Sequence, residues 1–418
     1  MSAFVQRRER EVVVTGLGVV SSIGIGKDEF WKNLTRGKLG FSKISSFDTS
    51  LYNRKRGGEV PDFDLNKFIS RRAFGFKKDD VSHLGRASQL ALASAQLAIK
   101  DSVLSLEHIN KYIGIYTGTC VGEAQEIEHY DDNVLSGDQI LISEEFVKRI
   151  SCARLSNVIS NYYQFNGPSI TITTACAAGS NAITMAYDAI MEGDFDIALA
   201  GGADPFSRYF FSGFYAVKAL AEDVPRPFDS NRDGLILGEG SAFLVLESLD
   251  HAVKRKAPIY ARIAGYGLSC DAYHMTVPHP HSNGIIQAME SALDHAQLYP
   301  EDIDYINAHG TATRHNDRSE ARAIASVFGT IEVPVSSTKS MIGHTLGAAS
   351  AIESVVTILT ITNDVIPPTM NHTDVDPECP LHIIANKAKK SSVNIAMNNA
   401  FGFGGNNTIV IFKKYQKE

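Results

Sequence analysis

The sequence predicts an α/β protein built from two similar halves, and three observations carry that reading. Short apolar segments of strand character alternate with longer segments of helical period along nearly all of the 418 residues, the pattern of an α/β fold with buried sheets. A second series of such segments begins near Ile259 and repeats the first in outline. Two helices rich in Ala, Gly and Ser follow Cys176 and His344 at corresponding points of the two series.

The first series opens with the strand EVVVTGLGVV (11–20), continues with the helix SQLALASAQLAIKDSV (88–103), and adds the strands YIGIYTGT (112–119) and SITITTA (169–175). The helix CAAGSNAITMAYDAI and the strand DIALAGGADP (196–205) come next, and GSAFLVLESLDHAVKRK (240–256) closes the half as a strand running into a helix. The second series runs through IYARIAGYGL (259–268), YINAHGT (305–311), VPVSSTK (333–339) and the small-residue helix GHTLGAASAIESVVTILTI (343–361). It ends in a hairpin pattern, VNIAMNNAFGFGGNNTIVIF (393–412), in which β-branched residues flank a glycine-rich tip. The expected halves are 1–258 and 259–418. Slim surfaces on two helices suit two buried helices packed closely together; ordinary alanine-rich composition is the alternative.

A hydrophobic content of 44% is ample for a large core. The formal charge of −7 and a pI near 6.0 argue against nucleic acid as a partner, because gripping phosphates needs a concentrated surplus of Lys and Arg. The opening MSAFVQRRER is too polar for a signal peptide, and no apolar run is expected to reach the roughly 18 residues of a membrane helix. A soluble, cytoplasmic protein with no membrane partner is the expectation. Five scattered cysteines, Cys120, Cys152, Cys176, Cys270 and Cys379, form no CxxC pair, which fits free thiols in a reducing compartment.

Cys176 stands at a strand-to-helix junction. A helix N-terminus favours a thiolate by up to ~2 kcal/mol, enough to draw a thiol pKa of about 8.5 toward neutrality, so Cys176 is a candidate nucleophile; inert packing is the alternative reading of a lone buried cysteine. In YINAHGTATRHNDRSE (305–320) a strand ends at His309 and enters a loop whose Thr311 and Thr313 share one side. Open α/β sheets place ligands at such strand ends. VSSTKSMIGHTLGAAS brings Lys339 and His344 into one turn region, and FGFGGNN (401–407) offers backbone N–H groups to an anion. Its plainer reading is a hairpin turn.

Together these motifs resemble the β-ketoacyl synthases of the thiolase superfamily, the decarboxylating condensing enzymes of fatty-acid and polyketide synthesis. The resemblance spans the chain through TACAAG, RPFDSNRDGLILGEGS, CDAYHMTVPHP, NAHGTAT, SSTKSMIGH, VIPPTMN and FGFGG, in that order. It implies a thiolase-like fold, with duplicated βαβαβαββ halves in five layers, α-β-α-β-α. It implies that Cys176 accepts the acyl group, that His309 and His344 form the histidine pair, and that Lys339 sits near the acid Glu320. Phe403 becomes a gate beside Phe401, its N–H joining that of Cys176 as an oxyanion hole. Thr311 and Thr313 become the contacts of the phosphopantetheine arm, and Thr119, Val121 and Phe211 the lining of the acyl tunnel. No bound cofactor or metal is implied, since the arm arrives on acyl carrier protein.

Within the family the chain looks most like the ketosynthase subunit of type II polyketide systems, which pairs with a chain-length factor. Homodimeric fatty-acid elongation is the alternative, and a non-catalytic chain-length partner is disfavoured by Cys176. The loop 219–229 is shorter than in either relative, Arg314 stands where the fatty-acid enzymes often have Pro, and Asn406 and Ala312 replace common residues of the motifs. The carrier is acidic, so Arg71, Arg72, Lys77 and Lys78 of ISRRAFGFKK are its expected docking surface, with a solvated charge run as the alternative. Three rival readings are weaker. TGLGVVSS (15–22) lacks the third glycine of a dinucleotide fingerprint, a cysteine protease has no use for the second histidine or Lys339, and His274, His279 and His281 lack the company of metal ligands.

Overall fold

The apolar run near the N-terminus folds as a fully buried ten-residue strand, β1 (Val12–Ser21), in a computed structural model that describes residues 10–69, 83–107, 109–137 and 142–416. The first half adds β2 (Gly114–Gly118), β3 (Ser169–Ile172), β4 (Ile197–Asp204) and β5 (Gly240–Ser248). The second contributes β6 (Ala261–Cys270), β7 (Tyr305–Asn307), β8 (Pro334–Ser336), β9 (His382–Ile383), β10 (Ile395–Gly402) and β11 (Asn406–Lys414). The helices that matter for the site are α1 (Arg86–Asp101), α2 (Ala178–Glu192), α3 (Asn283–Ala296), α4 (Arg314–Phe328) and α5 (Ala349–Asn363).

The strands lie in the order β9-β8-β7-β10-β11-β6-β1-β5-β4-β2-β3. From β1 outward the pairings run antiparallel, antiparallel, parallel, parallel. From β6 outward they run in the same sequence. Each half therefore places its first strand beside its last, and the duplication read from the sequence is a duplication of topology. The half-sheets meet through two register pairs, Val13 with Arg262 and Val14 with Ala261.

Helix α1 covers one face of the first half-sheet; α2 and α5 fill the space between the half-sheets; α3, beside α4, covers the outer face of the second. These are the five layers that the resemblance implies. Strands covered on both faces read as unbroken apolar runs, and every residue of β1, β4 and β5 is buried.

The small residues of α2 and α5 have a measurable reason. A Cβ placed on Gly179 would lie 2.8 Å from both the backbone N and the Cβ of Ala351, so the two helices cross where no side chain fits. Residues 349–361 of α5 are all buried, and the hydroxyls of Ser354, Thr357 and Thr360 donate to the carbonyls four residues back. This corrects one expectation: Leu346–Asn363 is long and apolar enough to cross a membrane, with a mean hydropathy of 1.3, but 89% of it is buried inside the fold. Its apolarity answers to two enclosing sheets.

Candidate active site

The chain leaves β3 and turns through Ala175, whose φ of 51° is left-handed, into a single 3-10 turn, Ala175–Ala177, that feeds α2. Cys176 is thereby presented at the head of the helix and is buried. The second half repeats the device: Leu346 has a φ of 53° and opens the 3-10 turn Leu346–Ala348 before α5. By this register the counterpart of Cys176 is Gly347, and His344 sits three positions earlier. A Cβ at Gly347 would lie 2.5 Å from the Cys120 backbone N.

Burial pushes the Cys176 thiol up to about 12, while the Lys339 ammonium and the Phe403 backbone N–H on the sulfur pull the other way. The sequence expectation of a thiol drawn toward neutrality is therefore reversed. A helix terminus supplies up to ~2 kcal/mol, and desolvation of a buried anion costs more.

His309 follows β7, and His344 lies in the turn before α5. Their ring centroids are 5.4 Å apart with the planes at 85°, and the Phe401 ring stands 5.5 Å from His309. Both imidazoles line one cavity with Cys176, of about 300 Å3. His344 Nδ1 accepts the Leu346 N–H at 3.2 Å, and Lys339 Nζ lies 3.2 Å from His309 Nδ1. An Nδ1 that accepts leaves the ring proton on Nε2. Burial first, and then the Lys339 charge, hold both rings well below the usual histidine range, so they are neutral donors at physiological pH.

The carboxylate on Lys339 is Glu353 of α5, which corrects the expectation that Glu320 fills that place. Glu320 instead accepts the N–H groups of His309 and Gly310, each at 2.8 Å, and Asn399 Nδ2 at 3.0 Å. It fixes the backbone that carries the histidine. Burial raises both carboxyls to about 7, in Glu353 against the pull of Lys339. Glu353 is the sole charged residue in an eighteen-residue apolar stretch, a sequence signal that could have exposed it, since a buried charge needs a partner.

Residues 9–252 match the β-ketoacyl synthase N-terminal domain and residues 260–373 the C-terminal domain. The chain belongs to the β-ketoacyl synthase family. It is 40% identical over 416 residues to the 3-oxoacyl-[acyl-carrier-protein] synthase 2 of Coxiella burnetii, covering 97% of this chain and 99% of that protein. Among solved structures, the ishigamide ketosynthase/chain length factor superposes with a TM-score of 0.93 at 40% identity, over 98% of this chain and 100% of that one. AntDE:AntF, a type II polyketide acyl-carrier protein in complex with its ketosynthase bound to the hexaketide, superposes with a TM-score of 0.88 at 32% identity, over 98% and 100% of the two chains. This ketosynthase is a condensing acyltransferase with the thiolase-like fold.

The ketosynthase cavity is also lined by Thr311, Thr313, Phe401 and Phe403, and the two threonine hydroxyls are 2.8 Å apart. The three residues expected to line the acyl tunnel are not on the wall of this cavity. The Thr119 hydroxyl donates to Asp204 at 2.5 Å and accepts the Gly122 N–H at 2.9 Å, Phe211 is buried against Phe47 and Tyr52, and Val121 packs on the same aromatic cluster. The cavity wall on that side is Phe214, whose ring stacks on Phe403 at 5.6 Å. Arg71, Arg72, Lys77 and Lys78 lie outside the described residues.

Asp204 was missed in the sequence. Its carboxylate accepts the N–H groups of Cys120, Val121 and Gly347 at 2.9, 3.0 and 2.6 Å, clamping the loop after β2 to the turn before α5. Among the described residues no three His, Cys, Asp or Glu groups gather as metal ligands. The His274 ring accepts the N–H groups of Thr276 and Val277 and so shapes its own loop. Asn307 and Asn398 are register partners, and each carries a buried side-chain oxygen without a hydrogen-bond partner, as Glu353 does.

Proposed function

We propose that this ketosynthase elongates a polyketide chain in a type II system, by decarboxylative condensation of an acyl group on Cys176 with malonyl-acyl carrier protein. One observation carries the mechanism: two neutral imidazoles, each with Nδ1 engaged, share a chamber with the thiol. In the first step the Cys176 sulfur attacks the carrier thioester, its proton passes to the departing carrier thiol, and the tetrahedral oxygen accepts the Cys176 and Phe403 N–H groups. Each such donor is worth roughly 3 kcal/mol. In the second, malonyl thioester releases CO2, and the electron pair of the broken bond becomes an enolate whose oxygen accepts Nε2–H from His309 and His344. The enolate carbon attacks the acyl-cysteine carbonyl, the new carbon–carbon bond forms, and the Cys176 thiolate leaves and takes up a proton from solvent water.

Thr311 and Thr313 hold the phosphopantetheine arm, which acyl carrier protein supplies; no other cofactor enters the reaction. Lys339 fixes the His309 tautomer through Nδ1. The enzyme acts in the cytoplasm with a chain-length factor as partner; likeness to the ishigamide ketosynthase/chain length factor supports the choice of partner. The name of the Coxiella relative favours the second reading, homodimeric fatty-acid elongation. Purification from the native host separates them. A co-purifying homologue without the nucleophile supports the first, and a homodimer that extends acyl carrier protein thioesters by itself overturns it.

A further inference from the structure

The turn that presents Cys176 is held by a side-chain relay that condensation does not use. Ala175 is left-handed at a φ of 51°, a conformation that crowds the Cβ of a non-glycine residue, and such strain persists only where the surroundings fix it. Thr174, directly before it, accepts a hydrogen bond from Asn181 Nδ2 at 2.6 Å. The other end of the same amide, Oδ1, accepts from Thr408 Oγ1 at 2.7 Å. Asn181 is in the first turn of α2, and Thr408 is on β11, just beyond the Phe403–Gly405 turn.

One amide thus bridges the nucleophile turn of the first half to the strand that follows the gate in the second. There is no slack between them: a Cβ on Gly402 would lie 3.0 Å from the Thr174 carbonyl oxygen and 3.2 Å from the Cys176 N. The Phe403 N–H that meets the Cys176 sulfur belongs to this same turn. A shift of the Thr174 end therefore moves the sulfur relative to the N–H that faces it.

We propose that Asn181 is a positioning residue for acyl transfer, holding the Cys176 turn in register with the gate strand through Thr174 and Thr408. The inference rests on Cys176 as the acyl acceptor. Misplacing a reacting atom by about 1 Å can cost 10²-fold in rate, and a relay that constrains one side of the turn commands a fraction of that.

The test is single-turnover acylation of Cys176 by radiolabelled acyl-acyl carrier protein across carrier concentrations. Asn181→Leu, which keeps the bulk and removes both hydrogen bonds, is expected to lower the limiting acylation rate about tenfold, with the half-saturating carrier concentration within twofold of wild type. Thr408→Val is expected to lower it about threefold, and Thr408→Ser, which retains the hydroxyl, to match wild type. Rates equal to wild type in folded Asn181→Leu overturn the inference, because a merely structural residue changes the melting temperature and not the rate of the folded enzyme. If Asn181→Leu does not fold, the Thr408 pair decides: equal rates for Val and Ser overturn it. Wild type that takes no label on Cys176 defeats the acyl-acceptor reading itself, an outcome distinct from either.

Discussion

Lys339 and Glu353 form an ion pair in which both residues are 1% exposed, and the same ammonium reaches His309 Nδ1 at 3.2 Å. Replacing Lys339 by Met strands Glu353 without its cation, to be buried unpaired or to take up a proton, and removing one partner of a buried pair costs about 3–5 kcal/mol. Replacing both, as Lys339→Met with Glu353→Leu, removes two buried charges together and is expected to recover most of that loss in urea unfolding. Malonyl decarboxylation is expected to stay down at least tenfold in both variants, because in each the His309 tautomer has lost its donor. A double variant that regains activity along with stability would show that Lys339 serves the fold alone.

The Cys176 thiol, pushed up to about 12 by burial, sets a pH signature. Below that value the thiolate fraction rises tenfold per pH unit. Alkylation of Cys176 by iodoacetamide, followed by peptide mass spectrometry, is expected to climb with a slope of one in log rate from pH 7 to pH 9.5. A rate that levels off by about pH 9 would mean a thiol of ordinary acidity, with a pKa of about 8.5, and would contradict the burial argument.

How much of this was readable beforehand depends on the sequence distance between partners. The alternation of strands and helices gave both halves, and Cys176, His309, His344, Thr311 and Thr313 announced themselves through local motifs that needed no knowledge of the far chain. Asp204 stayed hidden because its partners Thr119 and Gly347 lie 85 and 143 positions away. The Thr119 hydroxyl, donated to Asp204, was unreadable for the same reason. The resemblance implies that Glu320 sits near Lys339, whereas its carboxylate accepts the His309 and Gly310 N–H groups and the Lys339 partner is Glu353, a division that no local motif reveals. The direction of the Cys176 shift was lost because helix position is local and burial is not.

Glu320 links the site to stability. Its carboxyl titrates near 7 in the folded protein and at about 4.3 when unfolded. Between those values the folded state keeps a proton that the unfolded state has released, so this group makes stability fall as pH rises from about 4.3 to 7. Glu320→Gln removes the titration but turns an amide N–H toward a backbone N–H, losing a hydrogen bond and costing about 1–3 kcal/mol. The variant is expected to be less stable than wild type at pH 5, with the gap narrowing by pH 8, as read from urea midpoints at the two values. A gap that stays constant between the two values would mean that Glu320 is ionised throughout.

The Phe214–Phe403 stack, 5.6 Å between centroids with 25° between planes, holds the Phe403 ring against the cavity wall. Aromatic pairs of this kind contribute about 0.5–1.5 kcal/mol beyond area burial, equivalent to a two- to twelvefold change in an opening equilibrium at 1.4 kcal/mol per decade. Phe214→Leu keeps an apolar wall and removes the stack, so under the proposal that Phe403 gates the cavity the ring swings aside more often. Labelling of Cys176 by a bulky maleimide is expected to accelerate by that factor, while labelling of the exposed Cys270 stays constant as the internal reference. Equal rates at Cys176 in the two proteins would show that access to the thiol does not pass the Phe403 ring.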